Sequence, residues 1–300
     1  MDEGLRLHDA KEEMKIILSR KGFDSSSGGV PSPIFPDDRM LSLPIPDRLS
    51  RIAYADISGN CWVTMGEAVS QLAGIPPTHC AHLDPDLVRD SYPRGEGWRP
   101  IFGQVGSAEG HLRKQGVCKG DIFLFFGLFR KVEQAISGWR FVRDTNPIHV
   151  LFGWLQIAER ISVSAWPVID HWALYHPHFA REPHKSNVIY VSDERLTLAQ
   201  RECQGIAGAG VFSFFSPLLR LTAPKSDRPG LWLLPEWFYP KRRKSSLSFH
   251  GDISRWKKSS SGAMLSSVSR GQEFVLDCDD YPEAVDWLAD LFTSTAASGV

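Results

Sequence analysis

Short apolar runs, broken by glycine- and proline-rich turns, set the rhythm of this chain, and most are too short for a helix. Ile16-Ile17-Leu18 reads as a buried strand that empties at once into a polar loop, Arg20 to Gly29. Thr64-Met65-Gly66-Glu67 is a capping box that opens a helix through Leu72, closed by Gly74. Ser107 can cap a second short helix, Ala108–Gln115, ended by Gly116. The aromatic run Ile122–Phe129 reads as a central strand, with Trp139–Val142 as its hairpin partner. His149–Ile157, Asn187–Val191 and Phe274–Leu276 are further strands. Asp280 then caps a terminal helix with Val285, Leu288 and Leu291 on one face. The pattern predicts an α+β fold with a mostly antiparallel, partly closed β core and short flanking helices. Residues 1–13 read as a polar extension, 14–293 as one domain and 294–300 as a flexible tail.

Composition narrows the class. The 300 residues are 42% hydrophobic and 23% charged with net charge −1, which suits a sizeable core and excludes a globally cationic nucleic-acid binder. No run of ~18 apolar residues is present, so no membrane span or membrane partner is expected. The N-terminus has no apolar segment of the secretory kind. The five cysteines are scattered without a CxxC, which reads as reduced thiols in a cytoplasmic protein. Ten tryptophans suit cores and stacking sites alike.

Candidate chemistry falls in five places. The loop Arg20, Lys21, Asp24, Ser25, Ser26, Ser27, Gly28, Gly29 joins two cations, hydroxyls and glycines at a strand end, as a phosphate or nucleotide cradle does. A surface hairpin loop is the plainer alternative. The segment Thr78–Asp86 packs His79, Cys80, His82, Asp84 and Asp86 among prolines, which suits a rigid catalytic or binding loop with His82, Asp84 and Asp86 as its reactive groups. A divalent ion or a purely structural loop are the other readings, and the absence of CxxC or HExxH gives a metal no support. His176 and His178 flank a proline, and two readings apply, a structural pair or a pair converging on that cluster. Gln104, His111 and Gln115 offer polar groups suited to a base edge or to capping buried backbone. Finally, Lys241, Arg242, Arg243, Lys244, Lys257 and Lys258 lie in an aromatic-rich, serine-rich segment that suits a mobile loop on a nucleic-acid backbone. The polar loop, the His79–Asp86 loop and the Gln104/His111 region are expected to share one mouth.

Three resemblances add expectations. The turn Lys119-Gly120-Asp121 before a strand, with the later strand Gly153-Trp154-Leu155-Gln156-Ile157, is similar to the small β-barrels of the PUA-like group (ASCH and EVE domains). That likeness implies a non-catalytic reader of modified bases. The ordered blocks Ser19–Ser25, Leu43–Pro46, His82–Leu87, Phe102-Gly103-Gln104, Gly120–Gly127, Phe152–Ile157, His176-Pro177-His178 and Gly271–Val275 resemble the nucleotide modification associated domain 3 family. This resemblance implies a part in modifying DNA bases or nucleotides, in a prokaryotic or phage context, alongside other base-modification enzymes. With it, Trp154 and Gln156 join Gln104, His111, Gln115, His176 and His178 as candidate substrate contacts. Alternation puts Glu273, Val275 and Asp277 on one strand face, and that carboxylate resembles the catalytic glutamate of NAD-consuming ADP-ribosyltransferases. A solvated carboxylate on an edge strand is the alternative. The donor expected is NAD or another nucleotide.

Overall fold

The computed structural model describes residues 14–60, 62–167, 171–181, 184–199, 201–241, 244–269, 271 and 273–296. In chain order the elements are β1 (Lys15–Arg20), β2 (Ser32–Ile34), α1 (Met65–Ala73), β3 (Ile101–Gln104), α2 (Gly106–Lys114), β4 (Ile122–Ala135), β5 (Gly138–Phe141) and β6 (Ile148–Ser162). Then come β7 (Val188–Ser192), β8 (Arg195–Leu198), β9 (Arg201–Ala207), β10 (Ala209–Val211), β11 (Leu231–Leu234), β12 (Trp256–Ser259), β13 (Gly262–Ser266), β14 (Glu273–Asp277) and α3 (Glu283–Ala296).

A nine-stranded sheet carries the fold, with the order β14-β1-β4-β6-β7-β3 and with β2, β5 and β10 as side branches. Most of its ladders are antiparallel, but β1 and β2 both run parallel to β4. β4 explains its own centrality. Ile122 to Phe126 are all buried, so both faces of this stretch are covered and the apolar run needs no alternation. Separate two- and three-stranded sheets are formed by β8-β9 and by β11-β13-β12. The latter packs its Trp232 edge-on against Phe126, with ring centroids 5.2 Å apart. On the other strand pair, Trp154 of β6 meets Phe292 of α3 at 5.1 Å. A second core gathers Phe23, Phe35, Tyr54 and Trp139 under the Met65, Ala68 and Val69 face of α1.

Both ends of the strand order curl toward each other. Gln104, the last residue of β3, donates through Nε2 to Oε1 of Glu273, the first of β14, at 2.6 Å. No backbone ladder joins these two strands among the described residues, so the sheet curls without closing into a barrel. The fold is α+β as expected, and the large sheet is mixed rather than purely antiparallel.

Local signals held where they were self-contained. The Thr64/Glu67 capping box forms and Gly74 ends α1 with φ of 67°. α2 differs: it begins at Gly106 after Val105, with no side-chain cap, so Ser107 does not cap it. Among the described residues, Cys80, Cys203 and Cys278 are free thiols. No helix of the structure is long and apolar enough to cross a membrane. Residues 1–13 and 297–300 lie outside the described residues, whereas Ser294 ends inside α3 rather than opening a tail.

His250 is fully buried and neutral. Its Nδ1–H donates to the Ser248 carbonyl at 3.0 Å and its Nε2 accepts from the Val268 N–H at 3.2 Å. Burial, outweighing the Ser248 bond, holds its pKa down at about 4. Above pH ~6.5 the ring is neutral folded and unfolded, so nothing is lost. As pH falls from there toward 4, the unfolded chain takes a proton that the folded one refuses, and stability drops. Asp86 and Asp121, both raised to about 6 by burial, act in the opposite direction over the same range. The comparison must therefore isolate His250. Relative to His250→Gln, the wild-type chain should lose about 2–3 kcal/mol between pH 7.5 and 4.5. Denaturant midpoints of both proteins at both pH values read this directly, and an unchanged gap would refute it.

Candidate functional site

A polar cavity of about 220 Å³ opens where β1 and β3 end. Arg20, Lys21, Asp24, Ser26 and Ser27 line one wall and His82, Asp84 and His178 the floor, with Gln104 and Arg181 among the remaining lining residues. The strand geometry explains the gathering. β1 delivers Lys21 beside the head of β14, because Ser19 pairs with Glu273 in the antiparallel ladder. Lys21 Nζ then reaches Glu273 Oε1 at 2.9 Å and lies 4.6 Å over the Phe102 ring.

The opening loop is neither a hairpin nor an open cradle. β1 and β2 lie in register along the same strand β4, so residues 21–31 leave the sheet and return to the same neighbour. Asp24 Oδ1 accepts the N–H groups of Ser26 and Ser27, each at 2.8 Å. The backbone donors expected for a phosphate are thus taken by the loop's own carboxylate. Burial pushes the Asp24 carboxyl up, but the bonds from Ser26 and Ser27 and the nearby Arg20 bring it below its ordinary value. What the loop offers to the cavity is side chains: the Arg20 guanidinium, anchored on the Ser269 carbonyl at 3.1 Å, and serine hydroxyls. Ser25 and Gly29 lie on the outer side of the loop, and neither they nor Gly28 line the cavity.

The floor is built around Asp84. Its Oδ1 accepts the Gly103 N–H at 2.8 Å and stands 3.3 Å from His176 Nε2. Its Oδ2 stands 3.5 Å from His82 Nε2 and 3.6 Å from His178 Nε2. Burial raises this carboxyl, yet His176, His178 and His82 together hold it well below the usual carboxylate range. His82 is itself tied from behind, with Nδ1 2.7 Å from Asp47 Oδ2, and Arg181 reaches the same oxygen at 3.1 Å. The His82 bond is the largest reason that Asp47 titrates down at about 2. The Asp47 and Asp84 carboxylates outweigh burial and raise the pKa of His82. His176 is wholly enclosed, and its burial pulls it down to about 4 despite Asp84. Gly103 is required here, because a Cβ would stand 2.4 Å from the His178 ring. The three atoms His82 Nε2, Asp84 Oδ2 and His178 Nε2 belong to a set whose ligand atoms all lie within 4.8 Å of one another.

A family model described as nucleotide modification associated domain 3 matches residues 15–277. The chain belongs to that family. The match spans every residue that lines the cavity, from Arg20 to Arg181, and Glu273 behind them, and brings with it a role in nucleotide modification. No curated protein and no solved structure gives a significant match.

Not all the candidate residues of this family member converge. Asp86 lies outside the cavity, 1% exposed, where Arg94 Nη2 at 2.6 Å and the Tyr175 hydroxyl hold it. Glu273 is 1% exposed rather than solvated, and its Oε2 has no hydrogen-bond partner. Gln156 is spent on backbone: it donates to the Gly120 and Thr197 carbonyls and accepts the Thr197 N–H. Trp154 donates to the Ala207 carbonyl and packs on Phe212 and Phe292. His111 and Gln115 line a separate cavity of about 360 Å³, where His111 contacts Ser248 Oγ at 2.9 Å and the Phe249 ring. Burial lowers the pKa of His111. His79 is exposed.

The basic segment also differs from expectation. Lys241 pairs with Glu283 at 2.8 Å, Lys244 with Asp280, and Lys258 stands 3.9 Å from Glu236. Lys241 and Lys244 thus take their carboxylate partners from α3 and the turn before it. Lys257 is exposed on β12, and Arg242 and Arg243 lie outside the described residues. The serines divide: Ser246 is 3% exposed, whereas Ser259 ends β12 and Ser260 and Ser261 form its exposed turn into β13.

Four site residues had escaped the sequence reading: Asp47, Gly103 as a ring contact, Arg181 and Asn187. Asp47 follows the Leu43–Pro46 block and Gly103 lies inside a family-like block, which were signals of a sort. Nothing in the sequence marks Arg181 or Asn187.

Proposed function

We propose that this cavity binds a nucleotide, phosphate toward Arg20 and Arg181 and base or sugar toward Gln104, and that the Asp84–histidine floor acts on it. One observation carries the reading: cations, hydroxyls and a carboxylate–imidazole cluster from three distant chain segments meet in a single 220 Å³ polar space. A nucleotide needs this mixture, a cationic end for phosphate and polarisable acid–base groups beside it. Membership of the nucleotide modification family agrees with it. In this reading Glu273 holds Lys21 and Gln104 in place, and its engagement with both weighs against a free ribose-holding glutamate. The absence of a closed barrel likewise weighs against a base reader of the PUA-like kind.

The test is a binding panel of deoxynucleoside mono- and triphosphates, NAD and a short single-stranded DNA, read by calorimetry. At least one member should bind, and Arg20→Ala should weaken it by roughly 1–3 kcal/mol, the worth of a charge-assisted contact. If no member binds, or Arg20→Ala binds as well as wild type with an unchanged melting temperature, the assignment fails.

A further inference from the structure

The hydrogen-bond partners around Asp84 fix which atoms face one another, and the pattern is not self-sufficient. His178 Nδ1 lies 2.6 Å from Asn187 Oδ1, while Asn187 Nδ2 donates to the His178 carbonyl at 2.9 Å. The Asn187 oxygen must therefore accept, His178 carries its proton on Nδ1, and its Nε2 presents a lone pair. His82 is arranged the same way, with Nδ1 at the Asp47 carboxylate and Nε2 toward the cavity. His176 is the reverse. Its Nδ1 faces the His178 N–H at 3.4 Å, and its Nε2 stands 3.3 Å from Asp84 Oδ1 without hydrogen-bond alignment, while the Gly103 N–H donates to that oxygen at 2.8 Å. The backbone donor is thus on Oδ1. Oδ2 is left facing two imidazole nitrogens, at 3.5 and 3.6 Å.

His82 Nε2, Asp84 Oδ2 and His178 Nε2 converge, and a proton on His82 would bridge only the His82–Asp84 pair, whereas one cation satisfies all three atoms. The spacing also suits a cation. Two ligands each about 2.1 Å from a common ion stand roughly 3.0–3.5 Å apart in octahedral or tetrahedral geometry. Outer carboxylate and amide acceptors on the far ring nitrogens are the usual supports of metal-bound histidines. Asp47 and Asn187 occupy those positions.

We propose that His82 Nε2, Asp84 Oδ2 and His178 Nε2 bind a first-row divalent transition-metal ion. Two imidazoles and one carboxylate suit such an ion better than magnesium or calcium, which prefer oxygen alone. All three ligands come from the cavity floor, so the ion's remaining positions face the space assigned above to the nucleotide. Only the identity of what fills those positions rests on that assignment. The ion site itself stands on the ring geometry.

Cobalt(II), added alone to chelator-treated full-length protein, is the probe. Visible absorption and elemental analysis should give about one ion per chain at modest excess. His178→Ala and Asp84→Asn should each weaken binding at least ~100-fold, and Asn187→Ala by roughly 10–100-fold through its hold on His178. The wild-type stoichiometry decides the matter even if a variant misfolds, since substoichiometric cobalt overturns the site. So does binding that survives unchanged in folded Asp84→Asn or His178→Ala. Repeating the nucleotide panel with chelator present separates the two assignments: nucleotide bound without cobalt affinity would sink the ion and leave the nucleotide.

Discussion

Asp84→Ala should lower the melting temperature by roughly 10 °C, measured in chelator so that no bound ion contributes. The expectation follows from where this carboxylate sits. Its side chain is 4% exposed and faces three imidazoles and a backbone N–H. Removing one partner of a buried ionic cluster typically costs about 3–5 kcal/mol, because the remaining groups keep their desolvation cost without compensation. For a protein of this size each kcal/mol moves the midpoint by roughly 2–4 °C. Asp84→Asn should fall between wild type and alanine. It can still accept the Gly103 N–H but no longer offsets the imidazoles. Scanning calorimetry on the three proteins gives the order, and a drop below about 2 °C for alanine would mean that Asp84 does not organise the floor.

An equally large effect is expected at Glu273, which holds Lys21 and Gln104 from behind the cavity. Glu273→Ala leaves the Lys21 ammonium, its side chain 12% exposed, without its carboxylate and the Gln104 amide without its acceptor. A loss of about 3–5 kcal/mol should follow. Replacing both members of the ion pair, Lys21→Met with Glu273→Leu, removes the orphaned charge as well. The double variant should therefore be more stable than the sum of the single changes predicts, by at least ~2 kcal/mol. Strict additivity in urea titrations would show that Lys21 and Glu273 do not depend on one another.

The strands and the α1 cap were legible because they are local. An apolar run, a Thr-x-x-Glu box and a following glycine carry their meaning within ten residues. The shared mouth was legible in part, because Arg20, His82 and Gln104 each stand where a strand or rigid loop ends. His111 was misplaced for a geometric reason: α2 turns it away from Gln104, toward Ser248 and Phe249. The basic segment misled because net charge was counted along the chain, while its carboxylates, Glu283 and Asp280, arrive from the turn and helix that follow β14. The tautomers of His82 and His178 were invisible for the same reason. Asp47 and Asn187 fix them, and neither lies beside its histidine in sequence in a way that periodicity reveals. The loop's glycines and serines suggested an anion nest, yet a single aspartate, Asp24, is enough to fill one.

The pairing of β1 has a consequence for biosynthesis. β1 leaves the ribosome long before its antiparallel neighbour β14. Until residue 273 has been translated, Lys21 lacks its carboxylate and one side of β1 exposes unpaired peptide groups. The nascent chain must therefore carry an open, aggregation-prone edge until β14 is made. A product that stops short of β14 would hold every residue that lines the cavity, yet Lys21 and Gln104 would lack the carboxylate that anchors both.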